Sequence, residues 1–334
     1  MKILVTGGAG FIGSEFVRAT LNGELPGSAG TEVTVLDKLT YSGNPANLTP
    51  VAGSAGYRFV HGDTCDPILV DEVVRGHDVI VHFAAETHVD RSIVSSAEFA
   101  ITNVVGTQVL LEAAHRHRVG RFVHISTDEV YGSIDQGSWT EQSPLDPNVP
   151  YAAAKAGSDL AAIAFHRTRG LDVVVTRCTN NYGHHQYPEK VIPLFVTNLL
   201  DGRRVPLYGD GLNRRDWLHV SDHCRAIQLV LLGGRAGEIY HIGGGVELSN
   251  LELTERLLAA CGAGWDMVER VPDRQGHDRR YSLDISKIST ELGYSPWIGF
   301  EAGLAATVEW YRDNRGWWEP LKAGPAAPTA VRAA

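Results

Sequence analysis

Six short apolar runs recur in the first 180 residues: KILVTG, EVTVLD, YRFVHGD, VIVHFAA, RFVHIST and DVVVTRC. Each is rich in Val, Ile and Phe, and each has the length of a strand buried on both faces. Helix-like segments lie between them, among them IGSEFVRATLNG, PILVDEVVRG, GTQVLLEAAHRH and AAAKAGSDLAAIAFHRTRG. This alternation admits few folds, because parallel strands need long crossovers and the crossover helices cover both sheet faces. The expectation is an α/β chain built on a doubly wound parallel sheet. After about residue 180 the rhythm changes. NNYGHHQYPEKVIPLF reads as a loop, with a helix resuming toward VTNLLDG. VPLYGDG and EIYHIGGG read as short strands and loops, LSNLELTERLLAACG as a helix, and RVPDRQGHDRRYS as a polar loop. We therefore expect a first lobe over 1–180, with 216–237 returning to it, and a smaller mixed lobe over 181–320. NGELPGSAGT reads as a surface insertion, and 321–334 as a disordered, Pro-rich tail. A ligand site is expected between the lobes, at the carboxyl ends of the parallel strands.

Composition narrows the function. The chain has 334 residues, a formal net charge of −9 and no basic run, which argues against a nucleic-acid partner. The four cysteines, Cys65, Cys178, Cys224 and Cys261, are far apart and form no CxxC pair. They suit neither a zinc site nor a disulfide framework, and fit a reducing cytosol. MKILVTGG runs straight into a strand, so no signal peptide is expected. No apolar run is long enough for a membrane span.

VTGGAGFIG spaces Gly7, Gly10 and Gly13 as Gly-x-x-Gly-x-x-Gly, after a strand and at the opening of a helix. Glycines let the backbone approach a pyrophosphate, and a helix N-terminus offers amide donors to it. Asp37 ends the next strand. An acid there accepts hydrogen bonds from a ribose diol and repels a 2′-phosphate, which favours NAD over NADP. Lys38 beside it is the one opposing sign.

YAAAK places Tyr151 and Lys155 one helical turn apart on one face. An ammonium beside a phenol should lower the phenol's pKa and make it a base for a sugar hydroxyl. Upstream, STDEVYG puts Asp128 and Glu129 directly after Thr127, where a buried strand ends. One acid there would read as a helix cap. Two behind a hydroxyl suggest a proton donor and a proton acceptor, and neighbouring carboxyls split their pKa values.

Together TGGAGFIG, Asp37, GDTCD, HFAAETHVDRS, STDEVYG, YAAAK and NNYG resemble the extended short-chain dehydrogenase/reductase family, enzymes of nucleotide sugars with a Rossmann-type sheet. Within that family the pattern is most similar to the 4,6-dehydratases of deoxysugar pathways in antibiotic-producing actinobacteria. The resemblance covers roughly residues 1–320, including PEKVIPLFV, GDGLNRRDWLHV and DRQGHDRRYSLD. It implies resident NAD, dTDP-glucose as substrate, a cytoplasmic homodimer and no metal. The implied reaction has three parts: oxidation at C4, with Tyr151 taking the hydroxyl proton; loss of water across C5 and C6, with Glu129 as base and Asp128 as acid; and return of the hydride to C6. Thr127 and Lys155 complete the catalytic set. The implied cofactor residues are Gly7, Gly10, Phe11, Ile12, Gly13, Asp37, Lys38, Thr40, Asp63, Thr64, Ala84, Ala85 and Thr102, with Tyr151 and Lys155. The implied substrate residues are Thr87, Thr127, Asn180, Glu189, Lys190, Val191, Pro206, Tyr208, Arg215, Asn250, Arg274 and His277. Helices over 102–118 and 152–169 are the implied dimer contact. Related 4-epimerases lack the Asp–Glu pair, related decarboxylases keep only its Glu, and non-catalytic NAD-binding relatives lose the Tyr or Lys. One departure stands out: the family reads NNYGP followed by an aromatic, where this chain has His184 and His185. Adjacent histidines chelate poorly, so the change reads as a tolerated loop difference or an altered substrate preference.

Overall fold

The Val- and Ile-rich runs are strands, as their composition predicts. The structure is a computed structural model that describes residues 1–322. Its first part runs β1 (Lys2–Thr6), α1 (Phe11–Leu21), β2 (Glu32–Asp37), β3 (Tyr57–His61), α2 (Pro67–Val74), β4 (Val79–His82), α3 (Val89–Val94), α4 (Ser96–Ala100), α5 (Gly106–Arg116), β5 (Arg121–Thr127), α6 (Pro150–Arg169) and β6 (Val173–Cys178). It continues with β7 (Asn180–Tyr182), α7 (Val191–Leu200), β8 (Val205–Tyr208), β9 (Arg214–His219), α8 (Val220–Gly233), β10 (Ile239–Ile242), β11 (Glu247–Ser249), α9 (Asn250–Cys261), β12 (Val268–Val271), α10 (Ser286–Leu292), α11 (Phe300–Asp313) and α12 (Arg315–Lys322).

Seven strands form one sheet in the order β10-β6-β5-β4-β1-β2-β3, every pair parallel. Successive residues of each strand feed opposite cores. Ile3, Val5, Val33, Val35, Val79, Val81 and Val123 pack on one face with Phe16 and Val17 of α1, Ile227 and Val230 of α8, and Ile288 of α10. Leu4, Leu36, Ile80, Phe122 and Val175 pack on the other with Val70 and Val74 of α2, Leu110 and Leu111 of α5, and Ala162 of α6. The two-residue strand period explains the division. β1 has β2 on one side and β4 on the other, so the chain reverses direction across the sheet there, and the carboxyl ends open a crevice.

A smaller body holds a mixed sheet, β11-β9-β7, and a parallel pair, β12-β8. Its core joins Phe195 of α7, Trp217 of β9, Leu257 of α9, Leu304 and Tyr311 of α11, and Trp318 of α12. Three sequence expectations are corrected here. EIYHIGGG was placed in the second lobe; its strand β10 instead pairs with β6 as the edge of the large sheet, and α10 packs behind it. An edge strand so far along the chain carries no local signal of its partner. PEKVIPLF was read as loop, but α7 begins at Val191. Pro193 is tolerated because first-turn amides have no intrahelical partner. Leu321 and Lys322, assigned to a disordered tail, end α12, and Lys322 Nζ donates to Asn198 Oδ1 at 2.9 Å. The rest of that tail lies outside the described residues.

Between α4 and α5 the helix widens into a π turn, Ile101–Val105. Its Asn103 is buried and grips the segment after β4: Oδ1 accepts from Glu86 N at 2.8 Å and Nδ2 donates to Glu86 O at 3.0 Å.

Trp318 is fully buried, and its Nε1–H donates to Tyr311 O at 2.7 Å. Trp318→Ala is expected to lower the unfolding free energy by about 3–5 kcal/mol, measured by urea denaturation; a change below about 1 kcal/mol would show that α12 contributes little to the fold.

Candidate active site

The crevice is walled on one side by the turn between β1 and α1. Gly7 has φ +69°, and a Cβ there would lie 2.6 Å from Ala84 N. A Cβ on Gly13 would lie 2.4 Å from Gly7 O. Both glycines are therefore required by close backbone approach. α1 begins at Phe11 with no side-chain cap on Gly10, which leaves its first amides available to a ligand. Asp37, at the end of β2, is buried; Oδ2 accepts from Ala9 N at 2.9 Å and Oδ1 from Leu39 N at 2.8 Å. Lys38 turns away from it and pairs with Asp63 at 2.6 Å, so its charge does not serve a 2′-phosphate beside Asp37. Thr40, Thr64, Ala84, Ala85 and Thr102 line the same crevice with Phe11 and Ile12. A Gly cradle, an uncapped helix start and a carboxylate suit the pyrophosphate and ribose diol of a dinucleotide, and NAD fits this donor set.

β5 delivers the acids. Thr127 ends the strand and caps a 3₁₀ turn, Asp128–Tyr131: its Oγ1 accepts from Glu129 N at 3.3 Å and donates to Asp128 Oδ1 at 3.2 Å. Asp128 is buried, and neither its Oδ2 nor Glu129 Oε2 has a hydrogen-bond partner in the structure. Burial, then the neighbouring Glu129, pushes the Asp128 carboxyl well above the usual carboxylate range. Burial also raises Glu129, but Arg274, Lys190 and Arg215 pull it back. Both acids are thus raised, Asp128 the further, because the cations near Glu129 oppose its rise.

Tyr151 and Lys155 are both buried on α6, facing Thr127 and Ile125. The expected lowering of the phenol's pKa is corrected. Burial raises it well above its ordinary value, Glu129 and Cys178 add to the rise, and the Thr127 hydroxyl opposes it. Lys155 Nζ is turned to Ile125 O, 2.7 Å away. Burial brings Lys155 down to about 8, against the pull of Asp159 and Cys178.

The structure brings Thr87, Thr127, Asn180, Glu189 and Lys190 into the crevice with the catalytic and cofactor sets. Lys190 Nζ donates to Thr87 O at 3.0 Å, and Asn180 Oδ1 has no partner. Val191, Pro206, Tyr208, Arg215, Asn250, Arg274 and His277 lie outside this lining. Two of them still bear on it, since Arg215 and Arg274 are among the charges that act on Glu129. Arg215 donates to Asp278 O at 2.8 Å and lies 4.1 Å over the Tyr281 ring. His277 pairs with Asp273 at 2.6 Å, yet burial lowers it to about 4. Asn250 opens α9, where its amide donates to Asn213 O at 3.0 Å.

Several lining residues were not singled out from the sequence, among them Glu86, Cys178, Gln186 and Tyr187. Cys178 ends β6 and Glu86 follows β4, so the rule that ligands meet the carboxyl ends of parallel strands could have found both. His184 and His185 face away from the crevice lining. His184 lies 3.6 Å from Glu15 of α1, and the His185 ring sits 4.4 Å from Trp310 of α11. The pair replaces a stiff proline with contacts that fasten the loop to α1 and α11.

The family model described as GDP-mannose 4,6 dehydratase matches residues 4–307. A dTDP-glucose 4,6-dehydratase of Streptomyces niveus is 76% identical over 322 residues, covering 96% of each chain. The crystal structure of DesIV, a dTDP-glucose 4,6-dehydratase from Streptomyces venezuelae solved with NAD and TYD bound, superposes with a TM-score of 0.95 at 66% identity, over 96% of this chain and all of that one. A UDP-glucose 4-epimerase from Thermotoga maritima shares the fold at TM-score 0.86 and 32% identity, over 94% of this chain and 99% of that one. The chain belongs to the nucleotide-sugar 4,6-dehydratase family and, within it, to the dTDP-glucose 4,6-dehydratases.

Proposed function

We propose that this protein converts dTDP-D-glucose to dTDP-4-keto-6-deoxy-D-glucose with resident NAD, as a step in deoxysugar biosynthesis. The observation that carries the reading is the pair of buried carboxyls, Asp128 and Glu129, of unlike acidity, in one crevice with Tyr151 and Lys155. Oxidation and return at C4 need only the Tyr–Lys pair. Water loss needs a base and an acid besides.

Gly7, Gly10 and Gly13, the amides of Phe11 and Ile12, and Asp37 would hold the dinucleotide, with Lys38, Thr40, Asp63, Thr64, Ala84, Ala85 and Thr102 along its length. When bound, NAD supplies the hydride acceptor for C4 and the donor for C6, and its cationic ring favours the Tyr151 phenolate. Tyr151 takes the O4 proton as C4 becomes a ketone, with Thr127 hydrogen-bonding the reacting oxygen. The ketone makes the C5 hydrogen acidic, because the carbanion is an enolate. Glu129 removes that proton. Asp128, held protonated by burial, gives its proton to the C6 hydroxyl, which leaves as water. C5 is reprotonated once hydride has reached C6. Arg215, Arg274 and His277, with Asn180, Glu189, Lys190, Val191, Pro206, Tyr208 and Asn250, grip the nucleotide diphosphate sugar. Arg suits the diphosphate through its bidentate fork.

The division into a cofactor lobe over 1–180 with 216–243 and 286–292, and a substrate lobe over the remainder, belongs to the same reading. Ile93, Val94, Ile101, Val105 and Leu160 are exposed apolar residues on α3, the π turn and α6. A second copy covering this face makes the protein a homodimer. Among the described residues no helix is long and apolar enough to cross a membrane. A cytoplasmic location belongs to the same reading, since its substrate and NAD are water-soluble.

Purified protein incubated with dTDP-glucose and no added NAD should yield a product lighter by one water, read by mass spectrometry. Recovery of a sugar of unchanged mass with inverted C4 would sink the reading. Glu129→Gln should still oxidise C4, seen as reduced-nicotinamide absorbance, while elimination falls by roughly 10²-fold or more; full activity would remove Glu129 as the base. Lys155 adds a pH prediction. Its folded value of about 8 lies below the ordinary 10.5, so the folded state disfavours the ammonium. That penalty is fully present below about pH 8 and vanishes as pH rises through 10.5. Lys155→Met should therefore be catalytically impaired yet more stable at pH 7, by at most roughly 3 kcal/mol, with the gain shrinking above pH 8 in denaturation series; a marked loss of stability would contradict it.

A further inference from the structure

The reaction proposed above consumes no net oxidant, so the nicotinamide reduced at C4 must be the one oxidised at C6. A cofactor that left between those steps would strand the sugar as a 4-ketone. Retention is therefore part of the chemistry, and the Gly-rich turn and Asp37 lie on only one wall of the crevice.

A contact across the crevice joins its two walls. The loop after Asp37 carries Tyr41, flanked by the lining residues Thr40 and Ser42. The facing wall carries Glu189, between the lining residues Tyr187 and Lys190. Tyr41 O–H donates to Glu189 Oε1 at 2.8 Å, across 148 residues of chain. The Arg91 guanidinium lies 3.7 Å over the Tyr41 ring, and one of its nitrogens is 3.5 Å from Glu189 Oε2. The Tyr187 ring meets Tyr41 edge-on with centroids 5.5 Å apart. The Glu189 carboxylate is largely buried by these partners. Tyr41 is thus held by a charge-assisted hydrogen bond, a cation over its face and an aromatic edge.

We propose that Tyr41, secured by Arg91, is a clasp that bridges the cofactor wall and the substrate wall and retains the dinucleotide through successive turnovers. Tyr41 acts as a positioning residue: it touches no reacting atom and works by holding Glu189 and the loop after Asp37 together. The inference rests on the reading that the crevice binds NAD. It also gives Glu189 a second duty, since its carboxylate closes the crevice as well as facing the sugar.

Tyr41→Phe removes the hydroxyl and keeps the ring. Wild-type protein and variant would be desalted, denatured, and the released nucleotide quantified; exchange of bound for isotopically labelled NAD would be timed separately. The expected result is near-stoichiometric NAD in the wild type, with exchange about tenfold or more faster in the variant and most of its NAD lost on desalting. Dehydration by the desalted variant should fall in proportion and return to within about twofold of wild type on adding NAD, a rescue that mere misfolding would not allow. Arg91→Gln should act in the same direction, which keeps the idea testable if Tyr41→Phe folds poorly. Unchanged NAD content and exchange in both variants would overturn the clasp, as would loss of activity that added NAD does not restore. A wild type that dehydrates dTDP-glucose but holds no NAD after desalting would also overturn it while leaving the proposed reaction intact. A wild type that binds NAD but releases no water would count against the reaction instead.

Discussion

Everything in this site depends on water being kept from the end of β5. In water two adjacent carboxyls would both ionise near neutral pH. Enclosed at the end of the central sheet, Asp128 keeps its proton because no solvent pays for its charge. The enclosure is a property of the sheet. β5 and β6 end level with one another, Thr127 opposite Cys178, and α6 carries Tyr151 and Lys155 in its first two turns.

Burial raises Glu129 as well, though less far than Asp128. The difference between them comes from elsewhere in the chain. Arg215 on β9 and Arg274 in the loop after β12 are contributed by the smaller body, and Lys190 by the segment leading into α7; all three favour the ionised Glu129. The large sheet buries both acids, and the later segments supply the cations, of which Arg274 and Lys190 act on Glu129 and Arg215 acts on both. Neither half of the molecule could set both acidities by itself.

The fold was legible where its cause is local. Short runs rich in Val, Ile and Phe mark β1 to β6, and Gly7 and Gly13 mark a turn that only glycine fits. The proposed catalytic residues stand out in the sequence for the same reason, since each lies at a strand end or on one helical face. What could not be read depends on distant partners. β10 needs β6 beside it, 60 or so residues earlier, before its place is visible. The acidity of Tyr151 was misjudged because spacing reveals that Lys155 shares its face, but not that the ammonium turns to Ile125 O or that burial dominates. Tyr41 and Glu189 are 148 residues apart, and no spacing rule joins them. Of the residues inferred to grip the nucleotide, those on β8, β9, α9 and the loop after β12 came only from resemblance, because single polar side chains on short elements carry no periodic signal.

The π turn at Ile101–Val105 gives the helix one extra residue, and its placement has a consequence for how this surface can change. A regular helix advances about 100° per residue. The wider turn lets Thr102 line the crevice and Asn103 grip Glu86, while Ile101 and Val105 remain on the outside. Deleting a single residue there would restore an ordinary helix and swing everything before it by about a quarter turn. Either the polar pair would lose the crevice or the apolar pair would lose the exterior. The exposed apolar face and the crevice are thus indexed to one another by a single inserted residue, so neither can drift in register along this helix without dislodging the other.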